Sequence, residues 1–440
     1  MEIKSILEKM GIASLNAMQE KALDTITGTS NDVVLLSPTG TGKTIAYLLP
    51  VTRIVDSMSD NVQVVVVVPG RELALQSARV LSNMGSRLRS YACYGGRPAM
   101  DEHRQMRRVS PQVVFGTPGR LNDHLDKGNI SADSISLLVI DEFDKCLEMG
   151  FHDEMERLVA KLPHLQRRIL LSATEAHEIP HFVNAGKADR LNYLDDNAKV
   201  RERINIYKVE SPEKDKLETL RSLLLGFGNQ SGIVFLNYRS AVERVASFLH
   251  DKGFSVAAFH GGLDQKEREA VLYKFSNGSV CFFVCTDLGS RGLDIPDVEN
   301  IVHYHLPETE EAYLHRVGRT ARWDKTGRTF FILSQDETIP GYVEGDIADY
   351  PIENNDGLQP SLPRMVTLYL GKGKKDKISK GDVVGFLCKK VGLDKTDIGR
   401  IDVKDYYTYV AVNRLKARQV LTKTKGEKIK GIKTVWEIVD

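Results

Sequence analysis

Residues 37–44 read Ser37-Pro38-Thr39-Gly40-Thr41-Gly42-Lys43-Thr44, between an apolar run, DVVLL, and a helical run, IAYLLPV. Strand, glycine loop, Gly-Lys-Thr and helix in that order suit phosphate chemistry. Backbone N–H groups of the loop and of the helix N-terminus can surround phosphate oxygens, Lys43 can neutralise the β and γ groups, and the Thr44 hydroxyl can hold Mg²⁺. The general pattern has Gly at the first loop position where this chain has Ser37, but Gly42, Lys43 and Thr44 keep the required spacing. Further on, a second apolar run, SLLVI, ends in Asp141-Glu142-Phe143-Asp144. Acids also favour helix N-termini for capping and dipole reasons, so this cluster gains its weight from the glycine loop upstream. With that loop present, Asp141 can bind Mg²⁺ through water, and Glu142 can orient and deprotonate an attacking water. Phe143 is expected to point away from the metal into the sheet–helix interior, because neighbours at a strand end face opposite sides.

Such groups need strand ends placed side by side. Continuous apolar runs recur at 32–37, 62–69, 112–117, 136–142 and 167–174, with helical patterns between them. Unbroken rather than alternating apolar strands indicate a parallel sheet covered on both faces. The same grammar restarts at 231–237, 254–260, 279–287, 300–305 and 328–333, so a second α/β domain of similar plan follows. The segment 338–362 is rich in Gly, Pro and acids and reads as a linker, packed in part against the second domain. Beyond it the order β-α-β-β-α-β suits a small domain resembling an RNA-recognition motif.

The composition, 42% hydrophobic and 27% charged over 440 residues, fits two or three globular domains and excludes disorder over most of the length. No apolar run is long enough to span a membrane, and the start MEIKSILEKMG lacks a secretory apolar core, so a cytoplasmic location is expected. The five cysteines lack paired spacings and are expected to be reduced. The net charge of +1 hides an asymmetry: residues 361–440 hold 19 Lys and Arg against 9 Asp and Glu, a net of +10, which leaves −9 for residues 1–360. A basic block on an acidic body points to a polyanionic partner.

In chain order, SPTGTGKT, PGRELALQ (69–76), Gly95-Gly96, TPGR (117–120), DEFD, SAT (172–174), IVFLNYR (233–239), HGGLDQKERE (260–269), TDLGSRGLDIP (286–296) and HRVGRTAR (315–322) resemble the motifs of DEAD-box ATP-dependent RNA helicases, from about residue 3 to residue 333. The resemblance implies two tandem RecA-like parallel-sheet P-loop domains, residues 1–200 and 201–340, then a linker at 341–362 and an α+β, RRM-like domain at 363–440. It implies ATP and Mg²⁺ at Lys43, Thr44, Asp141, Glu142 and Asp144. Ser172 and Thr174 resemble the segment that contacts Asp144, and His315 looks like part of that relay. Arg319 and Arg322 would act as arginine fingers on the γ-phosphate. Nucleotide contacts would also fall on Ile12, Gln19, Ser37, Pro38, Thr39, Gly40, Thr41, Gly42, Gly292 and Asp294, with Asp294 at the ribose. RNA contacts would fall on Arg71, Gly96, Thr117, Gly119, Arg120, Arg239, Arg268 and Thr286, mostly to phosphate and 2′-hydroxyl.

Three positions depart from the family pattern. Ile12 stands where an aromatic is usual beside Gln19, which still allows paired hydrogen bonds to an adenine edge. Gly70 replaces a Thr that usually meets RNA phosphate, and Ala321 replaces a Gly between the finger arginines.

In the tail, GKGKKDKISKGDVVGFL, IGRIDV, TYVAV and GEKIKG resemble the DbpA-type C-terminal RNA-binding domain, a branch tied to 23S ribosomal RNA and assembly of the large ribosomal subunit. Lys372, Lys374, Lys375 and Lys377 are expected to meet phosphates. Tyr407 and Tyr409 share one face of a strand and either stack bases or pack a core. The expected function is an RNA-stimulated ATPase, acting as a monomer, that separates short RNA duplexes locally. The alternatives are an ATP-binding RNA chaperone or clamp with little hydrolysis, should Phe143 distort the acidic motif, and a DNA-directed superfamily 2 translocase, against which the tail and Gln19 argue.

Overall fold

The computed structural model describes residues 3–38, 40–95, 99–174, 180–183, 187–194, 203–287, 298–320, 326–352 and 357–439. The chain divides into two compact units between Glu202 and Arg203, and the basic tail belongs to the second.

In the first unit the strands are β1 Asp32–Leu36, β2 Val64–Val67, β3 Ser90–Cys93, β4 Val113–Gly116, β5 Leu137–Ile140, β6 Arg167–Ser172 and β7 Ala188–Asn192. They form one parallel sheet in the order β3-β4-β2-β5-β6-β1-β7. β1, β2, β4 and β5 are buried at every position, as continuous apolar runs require. The period of two still sorts their side chains. Val33 and Leu35 join the core under the helices Ala17–Gly28 and Lys43–Ile54, while Val34 and Leu36 join the opposite core with Leu121, Phe143 and Leu158.

The second unit repeats the plan with β8 Ile204–Glu210, β9 Gly232–Leu236, β10 Val256–Phe259, β11 Phe282–Thr286, β12 Asn300–His303, β13 Gly327–Leu333 and β14 Ile347–Asp349, all parallel, in the order β10-β11-β9-β12-β13-β8-β14. β14 comes from the segment expected as linker. It is an edge strand on β8, and Tyr350 and Ile352 after it pack on the core of this sheet.

The tail forms a four-stranded antiparallel sheet from β15 Met365–Leu370, β16 Ile398–Val403, β17 Thr408–Asn413 and, after a hairpin of β18 Lys428–Ile429 and β19 Ile432–Lys433, β20 Trp436–Ile438. The order is β16-β17-β15-β20. Alternation again decides the faces. Val366, Leu368, Leu370, Val410 and Val412 meet the helices Lys380–Phe386 and Arg414–Lys423 in one core.

The other face carries Thr367, Tyr369, Tyr409 and Ala411, and it is covered by the helix Gln265–Ser276 and the turn after it. Tyr273 stacks on Tyr409 with ring centroids 5.1 Å apart and donates its hydroxyl to the Arg400 carbonyl. Asn277 donates to the Thr367 hydroxyl at 2.9 Å, Arg400 to the Ser276 hydroxyl at 2.9 Å, and the Tyr407 hydroxyl to Glu269 at 3.1 Å. Among the described residues no helix is long and apolar enough to cross a membrane.

Candidate functional site

The glycine loop leaves the carboxyl end of β1 and enters the helix Lys43–Ile54 through Gly42, whose φ of +88° is left-handed. A Cβ at Gly42 would lie 2.3 Å from the Gln19 amide nitrogen, so both backbone and space demand glycine there. Gln19 is tied to this loop directly, its Nε2 donating to the Gly42 carbonyl at 3.3 Å. Asn16, which the sequence did not single out, caps the helix Ala17–Gly28 and donates Nδ2 to the Thr41 carbonyl at 3.0 Å. The segment beside Ile12 and the phosphate loop is therefore one hydrogen-bonded assembly. Lys43 is buried and donates to the Ser37 and Pro38 carbonyls, while the Ser37 and Thr41 hydroxyls meet at 2.8 Å. Gly40 has φ +82°, and Thr39 lies outside the described residues.

The acidic cluster stands at the carboxyl end of β5. Asp141 is buried, its N–H donating to the Val67 carbonyl at 2.9 Å. Glu142 has φ +54° and ψ +52° and precedes the helix Phe143–Glu148, whose first turn its carbonyl accepts from Cys146. A non-glycine residue in the left-handed region costs on the order of 1–3 kcal/mol, a cost that concentrates at functional sites. Phe143 is 1% exposed and packs in the core under β5, as expected. Phe143 is a helix residue, however, and the left-handed turn at Glu142, not strand alternation, aims it inward.

Asp144 accepts from the Thr174 hydroxyl at 2.9 Å and from the Ala173 N–H at 3.2 Å. Ser172 does not touch it. Its hydroxyl donates to the Thr174 carbonyl at 2.6 Å and accepts from the Thr174 N–H, which shapes the turn that presents Thr174.

Burial, with the neighbouring Glu142 charge adding to it, pushes the Asp141 carboxyl up to about 7. Burial also pushes the Tyr47 phenol well above its ordinary value, with Asp141 beside it contributing. A buried carboxylate crowded by like charge and the hydroxyl of Thr44, in the first turn of the helix after the loop, are hard oxygen donors of the kind that fits Mg²⁺.

The same shift predicts a stability effect. A carboxyl whose folded pKa stands above its unfolded value holds more protons folded than unfolded between the two, so stability falls as pH rises from about 4 to about 7. Asp141→Asn should therefore raise the melting temperature of the nucleotide-free protein by several degrees at pH 8, equivalent to a few kcal/mol at most, with the difference fading towards pH 4. A variant melting at or below the natural protein at pH 8 contradicts this. Its ATP hydrolysis should be lost at every pH.

Strand order arranges the remaining positions. At the carboxyl edge of the first sheet, β5, β6 and β1 bear the acids, the Ser-Ala-Thr turn and the phosphate loop, while the adjoining β2 and β4 bear Arg71 and Thr117. Arg71 opens the helix Arg71–Asn83. Thr117 precedes the helix Pro118–Asp126, which carries Gly119 and Arg120 in its first turn, and a Cβ on Gly119 would meet nothing within 4 Å.

In the second sheet the neighbours β10, β11 and β9 bear the other RNA candidates. Arg239 opens the helix Arg239–Asp251 and pairs with Glu243 at 2.9 Å, and Thr286 ends β11. Arg268 is 9% exposed, its guanidinium stacked 5.1 Å above the Phe259 ring. His315 is buried on the helix Glu310–Val317, 3.5 Å from Glu311, and the Arg319 carbonyl just beyond accepts from the Val298 N–H at 3.1 Å. Gly96, Gly292, Asp294 and Arg322 lie outside the described residues.

Arg316 is a residue the motif reading passed over. It is 1% exposed, grips both Asp287 oxygens at 2.7 Å, donates to the Asn237 side chain at 2.9 Å and to the His305 carbonyl at 2.7 Å, and lies over the Phe235 ring. It thereby joins the ends of β9, β11 and β12.

In the tail, Lys374, Lys375 and Lys377 are exposed, whereas Lys372 pairs with Asp376 at 3.0 Å and Lys375 lies 4.1 Å above the Tyr406 ring. The base-stacking expectation for the tyrosines is corrected here. Tyr409 is 2% exposed under Tyr273, and Tyr407 is half-buried against Glu269, so the second sheet's helix already occupies the face a base would need.

The comparisons with known proteins agree in register with these elements. The DEAD/DEAH box helicase family model matches residues 16–181, the helicase conserved C-terminal domain matches 215–324, and the DbpA RNA binding domain matches 367–437. The chain is 33% identical over 433 residues to the ATP-dependent RNA helicase DbpA of Escherichia coli (strain K12), covering 97% of this chain and 94% of that protein. It is 28% identical to the protein of the same name from Bacillus subtilis (strain 168), covering 98% and 96%. Among solved structures, S. cerevisiae Dbp5 bound to RNA and ADP BeF3 superposes with a TM-score of 0.70 at 25% identity, covering 80% of this chain and 94% of that one.

Proposed function

The chain belongs to the DEAD/DEAH box family of ATP-dependent RNA helicases, and from that premise we propose that it separates short duplexes of ribosomal RNA, in the 23S molecule during large-subunit assembly. The observation that carries the target is the DbpA RNA binding domain at 367–437, with its net charge of +10 over 361–440, on the same chain as the phosphate loop and the acidic strand end.

At the nucleotide, Gln19 exchanges its bonds to the Gly42 carbonyl and the Asn16 N–H for the adenine edge, and Lys43 leaves the loop carbonyls for the β and γ phosphates. Thr44, and Asp141 through water, would hold Mg²⁺, which would supply charge neutralisation of the phosphates. Glu142 takes the proton of the attacking water, and Asp144 passes the state of this site to the Ser-Ala-Thr turn through Thr174. Arg71, Thr117 and Arg120 contact RNA backbone just past the carboxyl ends of β2 and β4, on the same sheet edge as the acids, so one sheet edge links hydrolysis to RNA grip. The burial of Phe143 outside the acidic cluster supports a hydrolysing enzyme over a clamp that hydrolyses poorly.

The target is tested by the triple reversal Lys374→Glu, Lys375→Glu and Lys377→Glu, which leaves the covered tyrosine face intact. Preference for a 23S fragment over random RNA, read as the ratio of RNA concentrations giving half-maximal ATPase, should fall at least about tenfold. The salt slope of fragment binding should drop by up to about three. An unchanged preference would refute the tail's anchoring role.

A further inference from the structure

Around Arg120 of the Thr117-Pro118-Gly119-Arg120 segment lies a buried polar cluster whose other members, Glu102 and His124, belong to no motif. Glu102, on the helix Ala99–Val109 after β3, accepts the Tyr94 N–H on one oxygen at 3.0 Å. Its other oxygen accepts Arg120 Nε at 2.6 Å and lies 3.1 Å from His124 Nε2. Arg120 and His124 are on the helix after β4, and β3 and β4 are neighbours, so one carboxylate ties two helices and a strand end together. Burial alone would raise this carboxyl, but the hydrogen bonds from His124, the Tyr94 N–H and Arg120 outweigh it and hold the group below its ordinary range. The carboxylate is thus charged throughout the neutral range.

Ligand atoms of Cys93, Glu102 and His124 lie within 4.8 Å of one another, a spacing a soft dication could use. Both Glu102 oxygens are already engaged, one of them by a guanidinium, so the cation this cluster holds is Arg120 itself. Arg120 has a second, weaker acid partner, Asp123 at 3.4 Å, which is more exposed than Glu102. The short bond to Nε comes from Glu102 and fixes the plane of the guanidinium fork.

We propose that Glu102 is a positioning residue for RNA binding: it holds the Arg120 guanidinium in one orientation before RNA arrives. This rests on the reading of Arg120 as an RNA contact. A side chain ordered in advance avoids the entropy loss of being ordered on binding, which for one long side chain is about a twofold to tenfold effect on affinity.

The test is RNA-stimulated ATPase of the full chain with RNA concentration varied, on Arg120→Ala, Glu102→Gln, the double variant and Glu102→Asp. Arg120→Ala should raise the KM for RNA by about tenfold, the loss of one charge-assisted hydrogen bond. Glu102→Gln should raise it by about twofold to tenfold while kcat at saturating RNA and the KM for ATP stay unchanged, and the double variant should match Arg120→Ala alone. Glu102→Asp keeps the charge but withdraws it by one methylene, so it should reproduce the rise in RNA KM with a melting temperature close to the natural protein's. An unchanged RNA KM in Arg120→Ala overturns the reading of Arg120 and the proposal with it. A raised KM in Arg120→Ala with no rise in either Glu102 variant overturns the proposal alone. So do effects of Glu102 and Arg120 that add, or a fall in kcat and a rise in ATP KM alongside the RNA effect.

Discussion

Replacing Glu142 by Gln should slow RNA-stimulated ATP hydrolysis by about 10²- to 10⁴-fold, the range for loss of a general base. The substitution preserves shape and the left-handed turn between β5 and the following helix, and it leaves Asp141, Asp144, Lys43 and Thr44 in place. The capacity to take a proton from water is removed, together with the charge that helps to raise the Asp141 carboxyl. ATP and RNA affinities should therefore stay within about threefold of natural values, since hydrogen-bonding size and neighbours are retained. Steady-state ATPase at saturating RNA, with nucleotide binding measured in parallel, separates the two effects. A residual rate within tenfold of the natural enzyme would sink the assignment of Glu142 as base, and an equal loss of ATP affinity would mean the substitution had disturbed the loop instead.

Arg316→Ala should destabilise the second unit by about 3–5 kcal/mol, because it leaves the Asp287 carboxylate, the Asn237 amide and the His305 carbonyl without the donor that satisfied them. Asp287 is only partly buried, with 22% of its side chain exposed, so water can recover some of that loss and the lower end of the range is expected. Calorimetry of the full chain should show the transition of this unit moving down. The double variant Arg316→Ala, Asp287→Ala should recover part of the loss, since no uncompensated charge then remains. A loss under about 1 kcal/mol in the single variant would show that the network contributes little to folding.

What the chain discloses in one dimension follows from what is local. The glycine loop and the acidic strand end were legible because backbone geometry and phosphate chemistry act within a few residues, and Phe143 was placed inside correctly although a turn rather than strand pleating put it there. Strand order was not legible. That β2 adjoins β5 and β4 adjoins β2, which brings Arg71 and Thr117 to the same sheet edge as the acids, depends on pairings between strands scores of residues apart. The pairings of Glu102 and Arg316 were missed for the same reason: their partners Arg120 and Asp287 are remote in sequence, and although Arg316, Asp287 and Arg120 stand inside the motifs, nothing in those motifs says which residues pair. The tyrosines of the tail show the limit most directly. Tyr407 and Tyr409 on one strand face look alike whether that face meets a base or a helix, and only the presence of Tyr273, Glu269 and Asn277 opposite decides it.

That covered face also bears on how such chains can be recombined. A tail joined only by a tether could be exchanged between relatives like a cassette, but this one presents Tyr407, Tyr409 and Thr367 to a matching helix and the turn after it. Transplanting residues 363–440 onto a core lacking Tyr273, Glu269 and Asn277 would bare an aromatic face to water. The tail and this one helix surface of the core are thereby a single exchangeable unit, and a chimera must carry both to keep the aromatic face covered.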